Sequence, residues 1–149
     1  MELILKKPEE FSISKEIRTR FVDLDLMGHL NNAVYFTLFE EGRFAYFERI
    51  RGMDFSPTSN FSFILAEIAC QFLSPVQMGE ILTVWTSVTS VGRKSFTIEY
   101  LVTRHDQTPV AKGKSVQVMY DYSAGKTISI PDEIFKQFEK LEKRPLTRM

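Results

Sequence analysis

Apolar and polar residues alternate along most of this chain, and one long stretch switches to helical spacing. Residues 10–23 place Ile13, Ile17, Thr19 and Phe21 in alternation, which predicts a first strand. Residues 25–30 read as a connection. Asn31 or Asn32 then suits an N-cap, because its side chain can accept from the first free amides of a helix. The helix runs to about Arg51 and stops at Gly52. Its apolar arc is wide: Tyr35, Leu38, Phe39, Ala45, Tyr46 and Ile50 share one side, and Phe36 and Phe47 extend it. Gly42 lies within the arc, where it costs helix propensity, so it predicts close approach of another backbone. A helix of this kind belongs inside a protein.

Four β-like segments follow, at 62–73, 81–91, 95–104 and 110–120. In the first, Ile64, Ala66, Ile68, Cys70 and Phe72 form one apolar face. In the third, Phe96, Ile98, Tyr100 and Val102 alternate with Thr97, Glu99 and Thr103. In the fourth, Val110, Val116, Val118 and Tyr120 alternate with Ala111, Ser115 and Gln117. The connections 75–79, 92–94 and 105–108 are short and turn-like, which implies antiparallel pairing of successive strands. A short helix over 131–142 opens with Pro-Asp-Glu. The order β–α–β–β–β–β–α is an α+β layer arrangement: an antiparallel five-stranded sheet, one long buried helix and a short C-terminal helix.

The 149 residues fit one domain, 1–149, with a substantial core. Thirteen Phe is a heavy load for this length and points to a large apolar interior or an interface. Lys+Arg and Asp+Glu both number 19, which argues against nucleic acid as the main partner. The single cysteine, Cys70, cannot form an internal disulfide. No apolar run is long enough to span a bilayer, and residues 1–10 lack the apolar core of a signal peptide. A cytoplasmic protein without a membrane partner is the expectation.

Chemistry concentrates between Arg20 and Arg43. An extended segment ends on a carboxylate, turns on Gly28 and enters a helix through two asparagines. That places Asp25 near a row of backbone N–H groups. A carboxylate beside oriented amides suits attack on an acyl carbonyl, because helix N-termini favour developing negative charge. Several other chemistries find no match. Gly113-Lys114-Ser115 resembles the end of a P-loop, but Thr108 stands where its first glycine belongs. There is no G-x-S-x-G elbow. Two histidines and one cysteine, far apart, make no zinc pattern, so no metal ligands are assigned.

The pattern F-x-D-x-D-x-x-G-H-x-N-N-x-x-Y-x-x-x-x-E-x-x-R, from Phe21 to Arg43, resembles the signature of hotdog-fold acyl-CoA thioesterases of the 4-hydroxybenzoyl-CoA thioesterase type. F-L-S-P-V-Q-M-G-E at 72–80 and V-G-R-K-S-F at 91–96 resemble that family's strand-end turn and next hairpin, extending the likeness over 11–121. The resemblance implies a sheet wrapped around the central helix. It implies hydrolysis of an acyl-CoA to free acid and CoA, with CoA part of the substrate and no cofactor. Asp25 matches the family's catalytic carboxylate, which attacks the thioester or activates water; the two routes stay open. Asp23 reads instead as a strand-end or turn carboxylate. The backbone N–H of Asn32 matches the amide that polarises the thioester oxygen. Gly28 and His29 belong to the same turn, His29 as a turn residue or a direct participant.

Tyr35 either lines the acyl pocket or packs in the core. Glu40 and Arg43 form a partly buried pair at a subunit interface or the wall of the site. Glu40 is the fallback carboxylate, as in a related hotdog branch. Arg93, Lys94 and Ser95 sit on a hairpin that, with Arg104, Lys112 and Lys114, could receive the phosphates of coenzyme A. The Phe content favours a fatty or aromatic acyl group. Alternatives in order are an acyl carrier protein thioesterase, a hydroxyacyl-thioester dehydratase and a non-catalytic acyl-CoA sensor. G-H-L-N-N lacks the longer proline-containing loop that dehydration asks for. Ten residues before Phe11 are too few for a sensor's DNA-binding segment. An exposed sheet edge and half a site predict a homodimer or homotetramer.

Overall fold

The computed structural model describes residues 2–50 and 61–148. Among them, six strands and two α-helices follow in the order β1 (Ile13–Arg18), α1 (Val34–Phe47), β2 (Phe63–Phe72), β3 (Ile81–Val91), β4 (Ser95–Thr103), β5 (Pro109–Asp121), β6 (Lys126–Thr127) and α2 (Asp132–Glu142). The sheet is antiparallel, ordered β1-β3-β4-β5-β2, with β6 added beside β5. It curls around α1. Phe39, Leu38 and Phe47 of the helix join Leu82, Val84, Ile98, Tyr100 and Met119 of the sheet in one core. This is the hotdog arrangement.

The first strand is shorter than its alternation suggested. Asp23 accepts from the Arg20 amide at 2.9 Å and folds the chain into a 3-10 turn over Phe21–Asp23, which throws Phe21 out to 81% exposure. The strands β2 and β3 do not pair, contrary to the hairpin expected from a short connection. The chain leaves β2 at one edge, where β5 is its neighbour, and crosses to the far side to enter β3 between β1 and β4. The expected face of β2 also breaks. A bulge between Leu65 and Glu67 shifts the register, so Phe63 and then Ile68 and Cys70 pack against the core, while Ile64, Leu65 and Phe72 stay largely exposed.

Helix α1 starts later and ends earlier than its pattern. Its entry is a tight turn in which Val34, Tyr35 and Phe36 donate to the carbonyls three residues back. Its exit is another, with Arg49 and Ile50 donating to Tyr46 and Phe47. The expected stop at Gly52 lies outside the described residues. Gly42 does permit close approach, but of side chains: a Cβ there would overlap Thr86 Oγ1 and stand 2.9 Å from Val84 Cγ1. At the end of the sheet where β4 begins, Phe47, Phe61, Phe63, Phe96 and Phe138 interlock with ring centroids 5.0 to 6.3 Å apart.

Candidate active site

The turn between β1 and α1 is built around one carboxylate. Asp25 Oδ1 accepts from Met27 N at 2.8 Å and His29 N at 3.2 Å, while Asp25 N donates to the His29 carbonyl at 2.8 Å. Gly28 completes the reversal at φ +77°, in the left-handed region where only glycine is unstrained. A Cβ at Gly28 would meet nothing within 4 Å, so its reason is conformational and not steric. Asp25 is thus a turn-forming aspartate, and the second oxygen of its carboxylate has no partner among the described residues.

The following amides are allotted one by one. Leu30 N donates to Val76 O at 2.7 Å and Asn31 N to Asp23 O at 2.8 Å. Ala33 N donates to the Asn31 side chain at 3.0 Å. The Asn32 N–H, between them, has no acceptor among the described residues. The helix proper is preceded by Ala33 with no side-chain cap, so neither asparagine is its N-cap: Asn31 instead closes the turn ahead of it through Ala33 N, and among the described residues the amide of Asn32 stays free at the mouth of the helix. Such an N–H is suited to a developing oxyanion.

Asp25 and Asn32 share an open cleft of about 320 Å³ with His29, Leu30, Tyr35 and the Phe72–Pro75 stretch. Tyr35 is buried and packs edge-on against Phe72, centroids 5.0 Å apart, so it is at once core and cleft wall. Burial raises its hydroxyl above the ordinary tyrosine range. The His29 imidazole makes no hydrogen bond among the described residues; its backbone bridges to Gln77 instead.

Asp23 is structural. Its two oxygens accept from Arg20 Nε at 3.2 Å and Nη2 at 2.9 Å, and hydrogen bonding to Arg20 lowers its pKa. Cys70 is also unsuited to chemistry, because burial pushes its thiol up to about 12.

Other sequence candidates lie elsewhere. Glu40 is exposed and lies eight residues beyond Asn32, about 12 Å along a helix. Arg43 is 8% exposed; it donates to Tyr100 Oη at 3.1 Å and approaches Glu40 only at 3.9 Å. The Arg93–Ser95 hairpin sits where β4 begins, whereas the cleft sits where β4 ends, since Phe72 pairs with Ala111 and Ala111 with Val102. Nine residues of strand separate those ends by about 27 Å. Within one chain the hairpin and Asp25 do not meet. Nor do the basic residues form one patch. Arg104 lies at the cleft end, and Lys112 and Lys114 are half-buried on the sheet face away from α1. Sequence reasoning missed the part of the β2–β3 connection that holds the Asp25 turn, Val76 and Gln77. The only signal for it was its place in the 72–80 motif.

Among the described residues no three His, Cys, Asp or Glu side chains come together as a metal site, and no helix is long and apolar enough to cross a membrane.

Comparison with known proteins points one way. Residues 19–138 match the family model described as the thioesterase-like superfamily. The chain is 32% identical over 123 residues to the uncharacterized protein YsmA of Bacillus subtilis, covering 83% of this chain and 82% of that one. It is 22% identical over 129 residues to the long-chain acyl-CoA thioesterase FadM of Escherichia coli, covering 86% and 98%. Among solved structures, a thioesterase from Thermus thermophilus in complex with coenzyme A and zinc superposes with a TM-score of 0.81 at 32% identity, covering 93% and 99%.

Proposed function

The chain belongs to the thioesterase-like superfamily, and from that premise we propose that it hydrolyses acyl-CoA thioesters at the Asp25–Asn32 cleft. The reaction is R–CO–S–CoA + H₂O giving R–COOH and HS–CoA, and it calls for no redox cofactor. The observation that carries the reading is the unengaged Asn32 N–H beside a carboxylate with one unengaged oxygen, in a cleft walled by Tyr35 and Phe72. The carbonyl oxygen takes the Asn32 amide. The Asp25 oxygen that is not tied to the turn attacks the carbonyl or removes a proton from the attacking water. His29 completes the rim, and Gly28 sets the angle at which Asp25 meets it.

The acyl group is fatty or aromatic in this reading, on the strength of Tyr35 and Phe72 and the likeness to a long-chain acyl-CoA thioesterase. The Phe count adds little to it: five of the thirteen lock the opposite end of the core, and among the described residues Phe72 is the one that lines the cleft. An acyl carrier protein thioester is the second reading, because it presents the same phosphopantetheine arm. A homodimer or homotetramer is the proposed assembly.

The test is thiol release from a panel of acyl-CoAs by wild type and Asp25→Asn. Asparagine keeps an oxygen that can accept from Met27 and His29, so the turn should survive and melting should change little. The kcat should fall about 100-fold or more, the scale of a lost acid–base or nucleophilic group. Near-normal kcat in the folded variant would overturn the assignment of the chemistry to Asp25.

A further inference from the structure

The guanidinium of Arg104, just beyond β4, reaches three acceptors at once. Its Nε donates to Glu80 Oε1 at 2.8 Å, its Nη1 to Ser74 Oγ at 2.8 Å, and its Nη2 to the Pro75 carbonyl. The other oxygen of Glu80 accepts from Gln77 N at 2.7 Å. One ion pair therefore grips both ends of the connection between β2 and β3. The hydroxyl of Thr19 adds bonds to the Gln77 and Glu80 carbonyls at 3.0 and 3.2 Å. Fixed in this way, the connection serves as a rail for the Asp25 turn. Leu30 N donates to Val76 O at 2.7 Å, and His29 forms an antiparallel bridge with Gln77. Val76 itself is fully buried. The path from Arg104 to Asp25 is two steps: guanidinium to rail through side-chain hydrogen bonds, and rail to turn through backbone ones.

We propose that Arg104, paired with Glu80, is a positioning residue that sets Asp25 and the Asn32 amide in register with the cleft. The inference rests on the hydrolase reading above. A planar fork suits this role, because one rigid group matches three acceptors in different directions. A lysine ammonium on a flexible stem cannot reproduce that match. The same geometry argues against Arg104 as a phosphate ligand, because a carboxylate already faces it at 2.8 Å.

The experiment compares wild type, Arg104→Lys and Arg104→Ala by acyl-CoA kinetics and by hydrogen exchange at the Leu30, Asp25 and Asn31 amides. Displacement of a reacting group by about 1 Å can cost up to 100-fold. Both variants should lose at least tenfold in kcat, with KM within about twofold of wild type, and Arg104→Lys should not rescue. Exchange should quicken at the turn amides while the sheet amides of β3 and β4 keep their protection, which separates local slackening from global unfolding. A raised KM with intact kcat, or full activity in Arg104→Lys, would overturn the proposal in favour of a simple charge role. Unchanged exchange at Leu30 would overturn it as well. If wild type releases no thiol from any acyl-CoA, the hydrolase reading falls. The exchange measurement still decides whether Arg104 holds the turn.

Discussion

The two oxygens of Asp25 divide two roles that are often treated as rivals. One oxygen builds the turn through Met27 and His29, and the other is left for chemistry. Two positions earlier, Asp23 makes the opposite choice and gives both oxygens to Arg20. That difference predicts a pH effect. The Arg20 hydrogen bonds lower the folded-state pKa of Asp23 below its unfolded value of about 4. The carboxylate form is favoured by folding, so the stabilisation is fully present above about pH 4 and is lost as pH falls through the lowered value. Asp23→Asn should melt below wild type at about pH 7, and the gap between them should close as pH is taken below about 4 in paired thermal melts. A constant gap from about pH 7 to about pH 3 would show that the charge on Asp23 contributes nothing. The neighbouring asparagines divide labour in a similar way: the side chain of Asn31 closes the turn before the helix through Ala33 N, and among the described residues the backbone N–H of Asn32 stays available.

Among the elements, β5 shows best why some of the fold could not be read from the pattern. Its Val-rich face, Val116 and Val118, is the half-buried outer one, and the face against α1 holds Ala111, Gly113, Ser115, Gln117 and Met119. The reason lies on the helix. The Phe39 ring stacks on Tyr100 at 4.5 Å and occupies the space above Gly113, where a Cβ would overlap it. Gly113→Ala should therefore displace Phe39 and destabilise the fold by about 1–3 kcal/mol in urea denaturation, the usual range for an overpacked core. A neutral change would mean that the ring relaxes freely.

The existence of each of the five long strands and of both helices was legible, because alternation and helical spacing are local signals. The Asp25 turn was legible because its residues are consecutive. What was not legible depends on distant pairing. The bulge in β2, the β1–β3 and β2–β5 neighbours, and the Arg104 grip on Ser74 and Glu80 all join segments whose separation carries no periodic signature.

At the scale of the whole molecule, the described residues leave one side of this sheet unfinished. Among the described residues, the ten-residue edge strand β2 pairs only with β5, and Ile64, Leu65, Phe72 and Leu73 on or beside it are 37–44% exposed. On α1, Phe36 is similarly open at 38%. A long apolar edge is a template for pairing, and a second copy would cover it with the same patch on both chains. Phe47 on the same helix, by contrast, is 1% exposed inside the aromatic cluster and belongs to the core of its own chain. Assembly would also change the standing of Arg93 and Lys94, which lie about 27 Å of strand away from Asp25 in their own chain. If they hold coenzyme A phosphates, they do so for a cleft on another copy. Coexpression of Asp25→Asn with Arg93→Ala/Lys94→Ala tests this directly. In the mixed dimer the second chain supplies Asp25 and the first supplies the basic hairpin, so one site of two is whole. The mixed species, purified on two tags, should show low-KM hydrolysis of acyl-CoA that neither parent shows. The KM difference between the double variant and wild type should shrink at high salt, because screening weakens the lost attraction. It should vanish for a pantetheine thioester that lacks the nucleotide. A mixed dimer that merely averages its parents would mean that each chain carries its site alone, or that this hairpin takes no part in it.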